Sequence, residues 1–494
     1  MAATAKLDRE ILVLGAVVVV GMILAILDAT IVNVAIPTLG KDLHTSVSTI
    51  QWVMTGYLLA FASAIPLSGW ASERFGAKQV WIAALLVFLA GSALSGLAWS
   101  IDALIVSRVI QGVGAGLLMP VGQTILAQAA GQERIGRVMS VIGVPLLLGP
   151  IFGPIIGGAI VDQASWRWIF FVNLPIGLVA LALAWRLLPA SATRRGERLD
   201  SQGLLLLSPG LALFVYGMSE AGSSGGFGGR ALVGILAGLA LVVLFTRHAL
   251  RLGRSALLDV SLFARRGFAA AAGTNLLVGI ALFGALILLP LYYQLVRGES
   301  PLATGLLLVP QGLGAALAMP IAGRLTDEIG ARVVIPAGIL LALAGTALYT
   351  QVGADTSYVL LSGALFLIGL GLGATIVPSM AVAYQAVPRE SIPQATSTIN
   401  VIQRVAGSVG TALLAVVLQR QIATNLPGVD GGIGALAALS GEARALVESA
   451  LADAFGTTFW VAFGLVAASL LPALMLPRVR SQRRRDAAPT TEAT

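Results

Sequence analysis

At 494 residues, with 57% hydrophobic residues, 11% charged ones and a mean hydropathy of +0.91, the chain is too apolar for an ordinary water-soluble domain, where about a quarter of residues are charged. The absence of cysteine and the presence of only two histidines, His44 and His248, argue against disulfides, thiol chemistry, a histidine metal cluster or a Ser/His/Asp triad. The net charge of +8 reads as a topology signal and not as a nucleic-acid footprint.

Apolar stretches long enough to cross a bilayer, about 20 residues each, recur with short polar breaks, which predicts helices and not barrel strands. Fourteen are expected, at 11–36, 49–70, 79–99, 102–125, 137–160, 169–188, 201–219, 231–248, 268–293, 303–323, 332–351, 357–384, 396–419 and 456–476. Most of the 31 lysines and arginines fall in segments that share one side if both termini are cytoplasmic, the asymmetry that the positive-inside rule associates with the cytoplasm.

The first stretch ends in Leu27-Asp28-Ala29-Thr30-Ile31-Val32-Asn33-Val34-Ala35-Ile36-Pro37. A carboxylate at mid-membrane costs roughly 2.5 to 3.5 kcal/mol on insertion scales and is usually functional, so Asp28 is the leading candidate for taking up and releasing a proton. The second stretch opens with Gln51, Trp52 and Tyr57 and runs into Gly69, Glu73, Arg74, Gly76 and Lys78, a tight glycine turn whose charges suit neighbouring helix ends. The same order of glycine, acid, glycine and base returns 254 residues on, at Gly323, Asp327, Gly330 and Arg332. Gly112, Gly114 and Gly116 return 257 residues on, at Gly369, Gly371 and Gly373. Two offsets this close predict a duplicated half. The likeness of Gln111 to Pro120 and Gln311 to Pro320 fits no common register and reads as convergent composition.

The expected organisation is therefore six, two and six spans: 1–188 as one bundle, 189–265 with an inserted pair, 266–477 as the second bundle with an outer loop at 421–455, and a basic tail at 478–494. The fourth span carries Arg108, a permanent cation that has to find acceptors or water; it either snorkels to a membrane end or faces a central cavity and acts on Asp28. Gly149, Pro150, Gly153, Pro154, Gly157 and Gly158 give the fifth span one smooth, bendable face suited to a moving contact. Trp166, Arg167 and Trp168 read as an interfacial anchor. Candidate groups for holding a flat organic molecule are Asp28, Asn33, Trp52, Tyr57, Gln123, Asn275, Tyr292, Gln311, Asn400 and Gln403. In the repeat register Leu282 stands opposite Asp28 and Leu365 opposite Arg108, so the ionisable chemistry is lopsided.

The motifs at Leu27 to Pro37, Gly69 to Lys78, Arg108 to Gly116, Gly149 to Gly158 and Trp166 to Gly177, in order on successive spans, resemble those of the major facilitator superfamily, specifically its 14-span drug:proton antiporters. The resemblance implies an all-α integral membrane protein with the major facilitator fold, two six-helix bundles plus two inserted helices. It implies alternating access and proton-driven export from the cytoplasm across the plasma membrane, with Asp28 as proton and cation site, Arg108 as relay partner and the fifth-span motif as antiporter signature. The absence of further acids deep in the second half turns the expectation away from dications and toward monocationic or neutral lipophilic drugs. A monomer working without cofactor, metal or nucleotide is expected, drawing energy from a gradient. The alternatives are an exporter of one endogenous metabolite, lipid or self-made antibiotic, and a non-transporting sensor or channel.

Overall fold

The computed structural model describes residues 9–131, 135, 136, 138, 139, 153, 156–161, 163–190, 193, 198–426 and 441–477. Among these, twelve helices are long and apolar enough to cross a membrane. The helices α2 (Trp52–Ala64) and α3 (Leu67–Phe75), bent by 54° at the break between them, together pass as a thirteenth. These thirteen coincide with thirteen of the expected spans; the remaining one, 137–160, lies mostly outside the described residues.

The first half contains α1 (Arg9–Asp42), α2, α3, α4 (Ala77–Gly96), α5 (Ile101–Ala130) and α6 (Asn173–Leu187). The inserted pair is α7 (Ser201–Ser224) and α8 (Gly229–Leu252). The second half contains α9 (Arg266–Leu291), α10 (Val309–Ile329), α11 (Ala331–Tyr349), α12 (Tyr358–Gln385), α13 (Ile392–Asn425) and α14 (Gly441–Ala468). Since α13 runs to Asn425 and α14 starts at Gly441, the segment between them is shorter than the 421–455 loop expected. Side-chain caps start several of these helices: Ser100 accepts from the Ala103 N–H and Asp200 from the Gly203 N–H.

The repeat is physical as well as textual. Gly76 ends α3 at φ 88°, ψ 137°, and Gly330 ends α10 at φ 91°, ψ 147°. That left-handed backbone is easy for glycine and strained for other residues, so both halves turn the chain the same way at the same place. The close helix contacts repeat too. A Cβ on Gly112 would run into the Tyr57 carbonyl, and one on Gly369 into the Gln311 carbonyl; one on Gly114 would strike the Phe88 nitrogen, and one on Gly371 the Ala342 nitrogen. Tyr57 and Gln311, like Phe88 and Ala342, are 254 apart, so the structural register is the one that the glycines predict. Gln311 thus answers to Tyr57, not to Gln111. Lipid offers no hydrophobic drive between helices, and such small-residue contacts let backbones approach closely enough for dispersion to hold the bundle.

Between the halves, α7 packs against both α2 and α13, while α8 packs on α7. Ser63 and Ser208 exchange hydroxyl-to-carbonyl bonds across the α2–α7 contact, at 3.4 and 2.7 Å.

Candidate functional site

Asp28 is fully enclosed within the first half. Arg108 Nη1 donates to its Oδ2 at 2.5 Å, while Gln111 Nε2 and Asn173 Nδ2 donate to Oδ1 at 2.8 and 3.1 Å. Gln111 stands three residues beyond Arg108, the spacing that stacks side chains on one helix face, and its Oε1 accepts from the same Nη1 at 2.7 Å. Arg108 Nε donates to the Val53 carbonyl at 3.3 Å. The guanidinium lies over the Tyr57 ring, 4.1 Å from its centroid, and 5.6 Å from that of Phe170. The Tyr57 hydroxyl in turn donates to the Ala25 carbonyl at 3.1 Å. Asn173 continues the chain by donating to Ser92 Oγ at 3.0 Å, and Ser92 donates to the Phe170 carbonyl at 2.8 Å.

One carboxylate therefore ties together α1, α2, α4, α5 and α6. Both side chains of the pair are 0% exposed, so Arg108 neither snorkels to a membrane end nor opens onto a cavity between the halves. Removing either partner strands the other, which typically costs about 3 to 5 kcal/mol. Gln111 and Asn173 escaped the site reading although both lie in motifs that sequence singled out; an amide one turn from an intramembrane arginine is the available signal for Gln111. Ser92, in an apolar helix, carries no such signal.

The other candidate residues do not form one surface. Tyr57 belongs to the network just described. Trp52 is 44% exposed and stacks on Tyr216 of α7, 6.1 Å between centroids. Asn275 is buried and donates to its own helix at Ala271. Tyr292 is buried among Tyr293, Tyr349 and Phe455, its hydroxyl on the Gly353 carbonyl at 2.9 Å. Gln311 lines a cavity of about 30 Å³ inside the second half together with Leu282, Thr346 and Ile368, room for about one or two water molecules. Gln403 is half-buried on α13. The side chain of Asn33, and Gly149, Pro150 and Pro154, lie outside the described residues. Gly153 and Gly157 pack on α1: a Cβ on Gly153 would overlap Thr30, and one on Gly157 would come within 2.9 Å of the Ile31 carbonyl.

Gln123 and Asn400 belong to a second cluster, where the halves meet. Asn400 Nδ2 donates to Gln123 Oε1 at 2.7 Å, and Ser397 Oγ to the Ile65 carbonyl at 3.0 Å. Arg389 Nη2 donates to the Gln128 carbonyl at 3.0 Å. Gly69 sits against Gln394, whose Oε1 a Cβ there would approach to 3.1 Å, and Gln394 Nε2 is 3.5 Å from Glu73. All of these lie toward the end marked by Gly76 and Gly330. Lys78 and the Trp motif serve helix ends: Lys78 Nζ donates to the Trp185 and Leu188 carbonyls at 2.8 and 2.7 Å, complementing the α6 C-terminus. Trp166, expected as a membrane anchor with Trp168, is instead buried and donates to Asp42 at 2.9 Å, whereas Trp168 is 56% exposed. An indole N–H that finds a carboxylate has no need of the headgroup layer.

Two related bundles of membrane-crossing helices that meet at one end, with an ion pair sealed inside one of them, make this a multi-pass membrane protein with the architecture of a transporter. The Major Facilitator Superfamily pattern matches residues 18–411, and the chain belongs to that family. A multidrug resistance protein B homolog of Mycobacterium tuberculosis (strain ATCC 25618 / H37Rv) is 39% identical over 499 residues, covering 97% of this chain and 92% of that protein. The puromycin resistance protein pur8 of Streptomyces alboniger is 36% identical over 409 residues, covering 81% of this chain and 80% of that protein. The solved structure of the proton:xylose symporter XylE bound to 6-bromo-6-deoxy-D-glucose shares the fold, with a TM-score of 0.60 at 15% identity over 95% of this chain and 96% of that one.

Proposed function

We propose that this chain exports lipophilic drugs from the cytoplasm in exchange for protons, working as a monomer in the plasma membrane with both termini cytoplasmic. The observation that carries the reading is the sealed Asp28–Arg108 pair with its amide donors. An ionised carboxylate only accepts hydrogen bonds; once protonated it has to donate one, and it no longer neutralises Arg108. A buried guanidinium without its counter-charge is costly, so a proton on Asp28 favours a different packing of the five helices that the network joins. Protonation and helix arrangement are then two faces of one equilibrium, which is what coupling requires.

With the Gly76 and Gly330 end on the cytoplasmic side, as the basic residues favour, the contacts at Gln123, Asn400 and Ser397 close the cytoplasmic end of the path. In that reading this arrangement bars the cytoplasm from the path. Opening toward the cytoplasm breaks those contacts and rocks one half against the other where α13 packs on α3 and α5. Each pH unit across the membrane supplies about 1.4 kcal/mol per proton.

The test is transport in inside-out vesicles with a puromycin-like drug and an acid interior. Wild-type protein accumulates drug until an uncoupler collapses the gradient. Asp28→Asn, confirmed as folded by monodisperse gel filtration, is expected to lose gradient-driven accumulation; undiminished accumulation by that variant removes Asp28 from the mechanism.

A further inference from the structure

The second half holds one intramembrane arginine of its own. On α13, Ser397, Asn400 and Arg404 fall at helical spacing on one face, and all three address the first half: Ser397 the Ile65 carbonyl, Asn400 the side chain of Gln123, and Arg404 the ring of Phe61, 4.1 Å from its centroid. Arg404 is the last of the three moving away from the closed end. It is half-buried where the two serine and amide contacts are buried. Phe61 is 6.2 Å from Tyr57, whose other neighbour is Arg108. Two aromatic rings thus separate a neutralised arginine in the first half from Arg404.

Their electrostatic positions differ sharply. Arg108 has Asp28; Arg404, among the described residues, has neither a carboxylate within ion-pair distance nor a hydrogen-bond acceptor, its neighbours being the face of Phe61 and the side chain of Tyr57. A guanidinium stays charged and carries five donors in a planar fork, and within a membrane it is kept where it meets an acceptor. A cation–π contact leaves those donors in the ring plane unused. Asp28, meanwhile, has both oxygens engaged inside the first half and offers the path between the halves no negative charge.

We infer that Arg404 is a substrate-binding residue that selects lipophilic aromatic molecules carrying a carboxylate, sulfonate or phenolate, with Phe61 as the adjoining stacking surface. The inference deepens the export reading by naming the substrate's charge, and it reverses the preference for monocations that the lone Asp28 suggests in sequence.

The experiment measures binding without any gradient, so its outcome is independent of proton coupling. Full-length protein in nanodiscs is titrated with pyrenebutyrate and with the trimethylammonium analogue of the same pyrenyl chain, using fluorescence anisotropy and empty nanodiscs as blank. Wild-type protein is expected to bind the anion about tenfold more tightly than the cation, the discrimination that one charge-assisted contact gives. Arg404→Gln is expected to weaken the anion by about tenfold while leaving the cation within about twofold, and Arg404→Lys to fall between, keeping the charge without the fork. A purely structural arginine would weaken both probes alike. That result, an unchanged anion affinity in Arg404→Gln, or wild-type protein that binds the cation at least as tightly, overturns the assignment. Should Arg404→Gln not yield monodisperse protein, Arg404→Lys and the wild-type preference decide the question. If Asp28→Asn transports normally but the anion preference holds, the coupling reading fails and the Arg404 assignment stands.

Discussion

The two halves are the same scaffold with opposite contents at one spot. In the first, Asp28, Tyr57, Ser92 and Gln111 belong to a sealed polar network around Arg108. Their counterparts by the repeat register are Leu282, Gln311, Thr346 and Ile368, which line the small cavity of the second half, with Leu365 at the place of Arg108 in the adjoining apolar cluster. The glycine contacts that set the helix spacing are kept on both sides; the charge is kept on one. Architecture and chemistry in this chain are therefore separable. The backbone plan does not need the ion pair, and the ion pair needs the plan only as a frame with five helices in reach.

The largest effect should come from removing half of the pair. Asp28→Leu and Arg108→Leu, each making one position resemble the second half, should each destabilise by about 3 to 5 kcal/mol, because each strands a buried partner. The double variant reproduces Leu282 and Leu365 together and should recover most of that loss, as apolar replacements of buried pairs often do, while gradient-driven export stays absent. Thermal unfolding in detergent and vesicle uptake check the two statements; a double variant less stable than both singles would mean that the halves are not interchangeable frames.

Next in size are the shared contacts. Gly112→Ala and Gly369→Ala place a methyl on equivalent carbonyls, of Tyr57 and Gln311, and should cost about 1 to 3 kcal/mol each, the range for overpacking. Similar unfolding shifts in the two variants sharpen the comparison, and a large difference breaks it. Across the closed end, a double-mutant cycle with Gln123→Ala and Asn400→Ala should give a coupling of about 0.5 to 1.5 kcal/mol, together with easier labelling of cysteines introduced deep on α13 from the Gly76 side. The smallest effect is expected at Thr346, the counterpart of Ser92. Ser92 sits between Asn173 and the Phe170 carbonyl, so Ser92→Ala should cost about 1 kcal/mol. Thr346 donates only to the Ala342 carbonyl of its own helix, a bond that adds little, and Thr346→Val should be nearly silent by the same unfolding assay.

What sequence made legible follows from what is periodic. Spans are long, apolar and punctuated, so fourteen could be placed, thirteen of which coincide with helices among the described residues; the Gly76 and Gly330 turns and the two glycine triplets carry the duplication because only glycine suits those contacts. Asp28 and Arg108 stand out because charge is rare in lipid. Their being joined depends on how α1 and α5 pack, and eighty residues of chain separate them. Asn173 sits among tryptophans and a proline, a setting that reads as a membrane boundary until α6 is seen to turn it inward. Tyr292 reads as a stacking platform, yet it is filled in by the adjacent Tyr293 and by Tyr349 and Phe455, which arrive from α11 and α14. Single-residue chemistry was visible in the string, whereas adjacency between helices was not.

The position of α7 has a kinetic corollary. Its α2 side is fastened by the reciprocal serine bonds and by the Trp52–Tyr216 stack. Its α13 side presents Phe214, Met218 and Gly222 to Val405, Val409 and Ala412, with Gln419 on the Gly222 carbonyl as the side-chain hydrogen bond among the described residues there. When the halves rock, α7 should ride with the first half as a shutter and glide on the second. The seam along α13, where Phe214 and Met218 meet Val405, Val409 and Ala412, is then a sliding contact that each proposed cycle has to cross, a step set by packing and not by the substrate.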